Sequence, residues 1–233
     1  MSQATTVAWL ATRELWMTFR LLLLLIVSVG AGAVVGLLPA PLPVTMTRLA
    51  AGLAVAITLA AAVAAWSIAE ERVSGRAGWL ATRSVARSTF LVGWYVALML
   101  VPLVGIGIAI GLGWLAVPPG SAAVVLDEYL AVAAAVVAAL GAAVASGFLF
   151  GALLRPRLAM LLTLIVCAAV AAAVIGLPEV APRLPAGGGL VLLSRVAALE
   201  PVTAEALRAA GIALALAAVV LAGARFALER SDL

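Results

Sequence analysis

Glu70-Glu71-Arg72-Val73-Ser74-Gly75-Arg76-Ala77-Gly78-Trp79-Leu80-Ala81-Thr82-Arg83-Ser84-Val85-Ala86-Arg87 is a charged island between two long apolar runs. Before it, Leu49 to Ala69 carries no charge, and after it Ser88 to Leu126 carries none. The island is too short to be a domain and too charged to lie in hydrocarbon, where ionised side chains are costly. The flanking runs are therefore read as membrane spans, and the island as an aqueous connection between them.

Composition agrees with that reading along the whole chain. Of the 233 residues, 67% are hydrophobic and 10% charged, whereas soluble domains carry about 25% charged residues. A helical span needs about 20 consecutive apolar residues, and six segments approach or exceed that length. They predict spans at roughly 21–38, 49–69, 89–117, 130–154, 158–177 and 208–225. In a bilayer every backbone N–H and C=O must be satisfied inside the protein, so these spans are expected as helices. The fold class is an all-α integral membrane protein, with residues 1–233 forming one transmembrane domain. Pro118-Pro119-Gly120 is taken to end the third span near Val117, and Pro39-Ala40-Pro41-Leu42-Pro43 to form a short external turn after the first.

The arginines orient the bundle. Six spans place both termini on one side. That side collects Arg13, Arg20, Arg72, Arg76, Arg83, Arg87, Arg155, Arg157, Arg225 and Arg230, against Arg48, Arg183, Arg195 and Arg208 on the other, ten against four. The positive-inside bias makes the richer side cytoplasmic. The chain is thus expected as a multi-pass protein of the cytoplasmic (inner) membrane with both termini and the 70–88 island inside. The first apolar run begins only at Leu21 and is long enough to span, so no removable signal peptide is expected. The net charge of +4 comes from arginines at span ends, without the basic stripe and interleaved aromatics of a nucleic-acid surface.

Residue types that are missing exclude whole classes of chemistry. The chain has no histidine and no lysine. Haem ligation of the usual kind, His-based metal sites, a Ser-His pair and a phosphate-binding Walker loop are all excluded. Cys167 is the single cysteine, so it makes no internal disulfide and reads as a small buried hydrophobe. Glu70-Glu71 begins like a Glu-Glu-x-x-x-Arg intramembrane-protease motif, but Gly75 stands where the Arg is needed. No resident cofactor and no catalytic residue are expected in this chain.

Three further segments have readable character. Residues 1–20 are mildly amphipathic, with Val7, Ala8, Leu10, Ala11 and Leu15 at helical spacing and Trp9 and Trp16 one heptad apart, which suits a helix lying in the membrane interface. Residues 178–207 are too long for a helix–helix hairpin and are expected to hold short external re-entrant or interfacial helices, with Thr203 as a cap of the last span. Gly32/Gly36, Gly107/Gly111 and Gly147/Gly151 form three Gly-x-x-x-Gly pairs, expected to serve helix packing within the bundle. Within the island, Trp79-Leu80, Val85 and Phe90 give an apolar face beside Arg83 and Arg87 at i,i+4. A short amphipathic helix of that kind suits docking into a partner's groove.

Glu71-Arg72, Gly75, Leu80, Val85 and Arg87 fall where the coupling element of one transporter family places its residues. The chain resembles the membrane subunits of type-2 ATP-binding-cassette exporters (ABC-2 type permeases). There the second span ends in a Glu-Arg pair, followed by a Gly, a short helix and an Arg before the third span. The tail Ala224-Arg225-Phe226-Ala227-Leu228-Glu229-Arg230-Ser231-Asp232-Leu233 is similar to that family's closing pattern. The resemblance implies an N-terminal elbow helix, a cytoplasmic coupling helix at 70–88, and ATP and Mg bound by a separate ATPase subunit. It also implies a second permease copy or paralogue. Glu70, Glu71, Arg72, Gly75, Arg76, Trp79, Leu80, Arg83 and Arg87 would couple the chain to the ATPase. The nearly charge-free spans suit export of a hydrophobic or amphipathic substrate. Haem-exporter permeases of cytochrome maturation share the size and span number, and a non-transporting membrane scaffold or assembly subunit is the alternative from another class.

Overall fold

A computed structural model of the chain describes residues 3–37, 40–74, 86–117, 119–176 and 188–230. Among these residues there is no strand. The helices are α1 (Gln3–Met17), α2 (Arg20–Leu37), α3 (Leu42–Val73), α4 (Arg87–Leu115), α5 (Pro119–Leu153), α6 (Pro156–Gly176), α7 (Gly188–Ala197) and α8 (Thr203–Arg230). The core of the 70–88 island, residues 75–85, lies outside the described residues.

Among the described residues, five helices are long and apolar enough to cross a membrane: Leu42–Val73, Ser88–Leu115, Leu126–Leu153, Pro156–Val174 and Thr203–Arg230. The helix expected at 21–38 is present as α2, but it passes the same test only together with α1, from which it is bent by 79°. The bend is made at Phe19, whose φ of 58° is left-handed. That conformation costs a non-glycine residue about 1–2 kcal/mol.

Several boundaries differ from the sequence expectation, and proline explains most of them. α3 begins at Leu42, not Leu49, with Pro41 at its N-cap and Pro43 in its first turn. The 39–43 prolines were expected to form a turn. Pro41 and Pro43 start a helix instead, because the first-turn N–H groups have no intrahelical acceptor and nothing is lost when proline lacks one. The same reason moves the start of α5 from 130 back to Pro119. At α8, the N-cap is Val202, whose carbonyl accepts from Ala206 N at 2.9 Å. Thr203 is therefore the first helical residue and not the cap. α3 has 32 residues, about 48 Å at 1.5 Å per residue, so it outruns a hydrocarbon core of about 30 Å.

α5 is the hub. It makes the most extensive helix contacts with α8 and then with α3, and it also touches α4, α6 and α7. Its approach to α3 is close because both surfaces are small. A methyl on Gly147 would collide with Ala61 O, and one on Gly151 would stand 2.7 Å from Ala65 O. Gly107 and Gly111 share the same spacing but have nothing within 4 Å of where a Cβ would stand. Gly32 is also tight, with a Cβ there standing 2.6 Å from Ala109 Cα on α4, so close approach is made at particular glycines and not by the spacing in general. α6 is peripheral, with only 11% of its apolar window buried.

α1 packs its Val7, Ala11 and Leu15 face inward, with Val7 against the backbone of Gly93 on α4. Trp9, Leu10, Trp16 and Met17 remain exposed. α7 buries Leu192, Leu193 and Val196 where it packs on α3 and α5.

Gly147→Val should separate α3 from α5 and lower stability by about 3 kcal/mol or more, at the upper end of overpacking costs. Gly211→Ala, with open space around it, should stabilise α8 by about 0.5–1 kcal/mol through reduced chain entropy. Thermal unfolding of the two purified variants in detergent separates these outcomes.

Candidate functional site

The last two turns of α3 carry Trp66, Ser67, Glu70, Glu71 and Arg72, at spacings that put Trp66, Ser67 and Glu70 on adjoining helical positions. The helix runs without interruption through the carboxylates to Val73. These charges are held on a rigid element, not at the start of a loop.

Glu70 meets a residue fifty positions away. Arg20, at the first turn of α2, forms a salt bridge with the Glu70 carboxylate. Arg20 Nη1 also donates to Ser67 Oγ at 3.0 Å, and Trp66 Nε1 donates to Glu70 Oε2 at 3.1 Å. The helix dipoles oppose this placement at both ends. A cation at the N-terminus of α2 and an anion near the C-terminus of α3 are each disfavoured by about 0.3–1 kcal/mol at exposed sites. The direct ion pair and its two supporting hydrogen bonds offset that cost, since hydrogen bonds to charged groups contribute about 1.5–3 kcal/mol. The Arg20 side chain is 20% exposed and that of Glu70 39%, so bulk solvent screens the carboxylate in part.

Arg72 points to another helix. Its Nη2 donates to Leu154 O at 2.7 Å, just past the last residue of α5. The terminal carbonyls of a helix lack intrahelical donors, and a cation there also complements the dipole. Arg72 Nε is buried with no hydrogen-bond partner among the described residues. Glu71 is only 4% exposed, and the Ser74 hydroxyl donates to its backbone carbonyl at 3.2 Å. Beside it, Ala65 and Ala69 of α3 pack with Ala159 of α6, against Phe150 and Leu154. The connection from α5 to α6 is shorter than the turn expected at Arg155-Pro156-Arg157: only Leu154 and Arg155 lie between the helices, and Pro156 and Arg157 already open α6.

Of the expected coupling residues, Glu70, Glu71 and Arg72 therefore sit in the corner at the end of α3, with Glu70 bonded to α2 and Arg72 to the end of α5. Gly75, Arg76, Trp79, Leu80 and Arg83 lie outside the described residues, and Arg87 is the first residue of α4. Arg20, Trp66 and Ser67 belong to the corner without having been singled out from sequence as site residues. Arg20 was legible only as a charge at a span end. Its partner could not be read, because a contact across fifty positions leaves no local periodicity.

No group of three or more His, Cys, Asp or Glu that could hold a metal occurs among the described residues. The hydrogen bonds of the corner tie helix ends together. At the end of α8, Arg225 Nε bonds Glu229 at 2.7 Å and Arg230 lies 4.1 Å over the Phe226 ring, so the tail motif is helical as far as Arg230. No family model matches this chain, and no curated protein matches it.

A double-mutant cycle of Arg20→Gln and Glu70→Gln should give a coupling of about 0.5–1 kcal/mol in unfolding, allowing for screening of the partly exposed carboxylate. It should shrink at high salt. A cycle on the exposed Arg225–Glu229 pair should give about 0.3–0.5 kcal/mol, as i,i+4 pairs do.

Proposed function

We propose that this chain is the membrane-spanning permease subunit of an ABC-2-type transporter, exporting a hydrophobic or amphipathic substrate with energy from ATP hydrolysis in a separate subunit. The observation that carries the reading is the anchored end of α3. Glu70 is bonded to Arg20 at the α1–α2 corner, and Arg72 to Leu154 at the end of α5. Whatever pulls or pushes on the segment that follows Val73 therefore acts on three helices at once.

In this reading, residues 70–88 form the coupling element, with Trp79 and Leu80 entering a groove on the ATPase and Arg76, Arg83 and Arg87 flanking it. ATP and Mg are held by that partner. Closure of two ATPase subunits draws two permease copies, or a permease and its paralogue, from an inward-open to an outward-open arrangement. The equilibrium shifts only by the unequal affinity of nucleotide for the two states. α1 is the elbow helix: its outward Trp9 and Trp16 and the Arg13 guanidinium 5.8 Å over the Trp9 ring suit the headgroup zone. α2 is then the first of six spans, both termini face the cytoplasm, and α7 is a re-entrant helix on the outer side.

Leu80→Asp should reduce co-purification of the ATPase at least about tenfold while the permease stays folded, because the carboxylate would have to be desolvated in the groove. Retention of the ATPase with normal transport would reject the docking role. Orientation is tested separately in a Cys167→Ala background. Ser74→Cys should resist an impermeant thiol reagent added to intact cells, and Ala198→Cys, exposed beyond α7, should react. The reverse pattern would invert the topology.

A further inference from the structure

α7 has the geometry of a lid and not of a span. Its ten residues cover about 15 Å, half of a hydrocarbon core. Its inner face is apolar and buried, through Leu192, Leu193 and Val196. At its start the backbone of Gly189 lies so close to α5 that a Cβ would stand 2.9 Å from Val136 N. The charge-free run of α5 begins after Glu128, so Val136 lies about 10 Å along it. α7 therefore reaches about 10 Å into the apolar length of its neighbour, seated between α3 and α5.

Its other end closes on α8 through a strained corner. Leu199 N donates to Val196 O at 3.0 Å and Glu200 N to Arg195 O at 3.1 Å, the two bonds of a Schellman cap. The left-handed position of that cap usually holds glycine, but here Leu199 occupies it with φ 60°. Such a conformation persists only where surrounding contacts over-determine it. Arg195 supplies those contacts. Arg195 Nε bonds the Glu200 carboxylate at 2.6 Å and Nη1 bonds Glu205 at 2.5 Å. Glu205 stands in the first turn of α8, so one guanidinium ties the last turn of α7 to the corner and to the next helix. Hydrogen bonds donated to Glu200, and then to Glu205, raise the Arg195 pKa further above its ordinary value, so the cation of this contact does not titrate away.

We propose that Arg195, Glu200 and Glu205 form an ionic latch that holds α7 closed over the groove between α3 and α5, and that the strained Leu199 corner is the hinge on which α7 lifts when the latch opens. The latch is half-exposed, with side-chain exposures of 33%, 47% and 39% for Arg195, Glu200 and Glu205, so it is weak enough to be reversible. Opening bares the Ala135–Val136 level of α5. The device does not depend on what the protein transports, and its test needs no transport.

The test uses the full chain in membranes, with Cys167→Ala and a single reporter Leu192→Cys on the buried face of α7. A small thiol reagent should label the reporter slowly in the parent. Arg195→Gln should raise the labelling rate about twofold to thirtyfold, the range that two partly exposed ion pairs support. Glu200→Gln with Glu205→Gln should do the same, and Arg195→Glu combined with Glu205→Arg should restore slow labelling. A parallel reporter, Leu98→Cys in the core of α4 and 1% exposed, should stay protected in every variant. Unchanged labelling at Leu192→Cys in both latch variants would overturn the proposal. So would equal gains at the two reporters, since that would mean general loosening instead of a lifting helix.

Discussion

The backbone approach of α3 and α5 at Gly147 and Gly151 is the constraint on which the rest of the molecule depends. In a bilayer, lipid tails are as apolar as leucine, so burial of side chains between helices gains little and close van der Waals contact decides association. Ala61 and Ala65 present their carbonyls to the two glycines, and the surrounding α3 surface is alanine-rich and buried. α8, α7 and α4 then pack around α5, and α6 packs on α3. A side chain at either glycine would move the hub and everything seated on it.

The charged corner at one end of the bundle follows from that approach. Only because α3 and α5 run so close does the end of α3 pass Leu154, where Arg72 meets a carbonyl that α5 cannot satisfy itself. The Arg20–Glu70 pair does the same for α2, against both helix dipoles. Two charges placed where the dipoles disfavour them are held by each other and by Ser67 and Trp66. That arrangement ties the helix ends together.

The far end of α7 repeats the same combination. The corner at Leu199 keeps a leucine in a conformation glycine would adopt freely, and the ion pairs of Arg195 hold it there. At the other corner, left-handed Phe19 stands next to Arg20 and its ion pair with Glu70.

By itself, the sequence determined that the chain is helical and carries several apolar segments of span length, because such runs have no other stable state in a bilayer than a helix, but it counted six spans where, among the described residues, five helices are long and apolar enough on their own. It also placed the charged island and its carboxylates, since uncharged runs on both sides mark it out. It misjudged where α3 and α5 begin, because proline reads as a breaker in sequence and is neutral in a first helical turn. It could not distinguish Gly147/Gly151 from Gly107/Gly111, which have identical spacing and opposite surroundings. Nor could it join Arg20 to Glu70, Arg72 to Leu154 or Arg195 to Glu205. Those choices belong to the tertiary structure, because which face of a helix meets another, and which charges then share a corner, is set by the packing of backbones across the bundle and not by any local period along the chain.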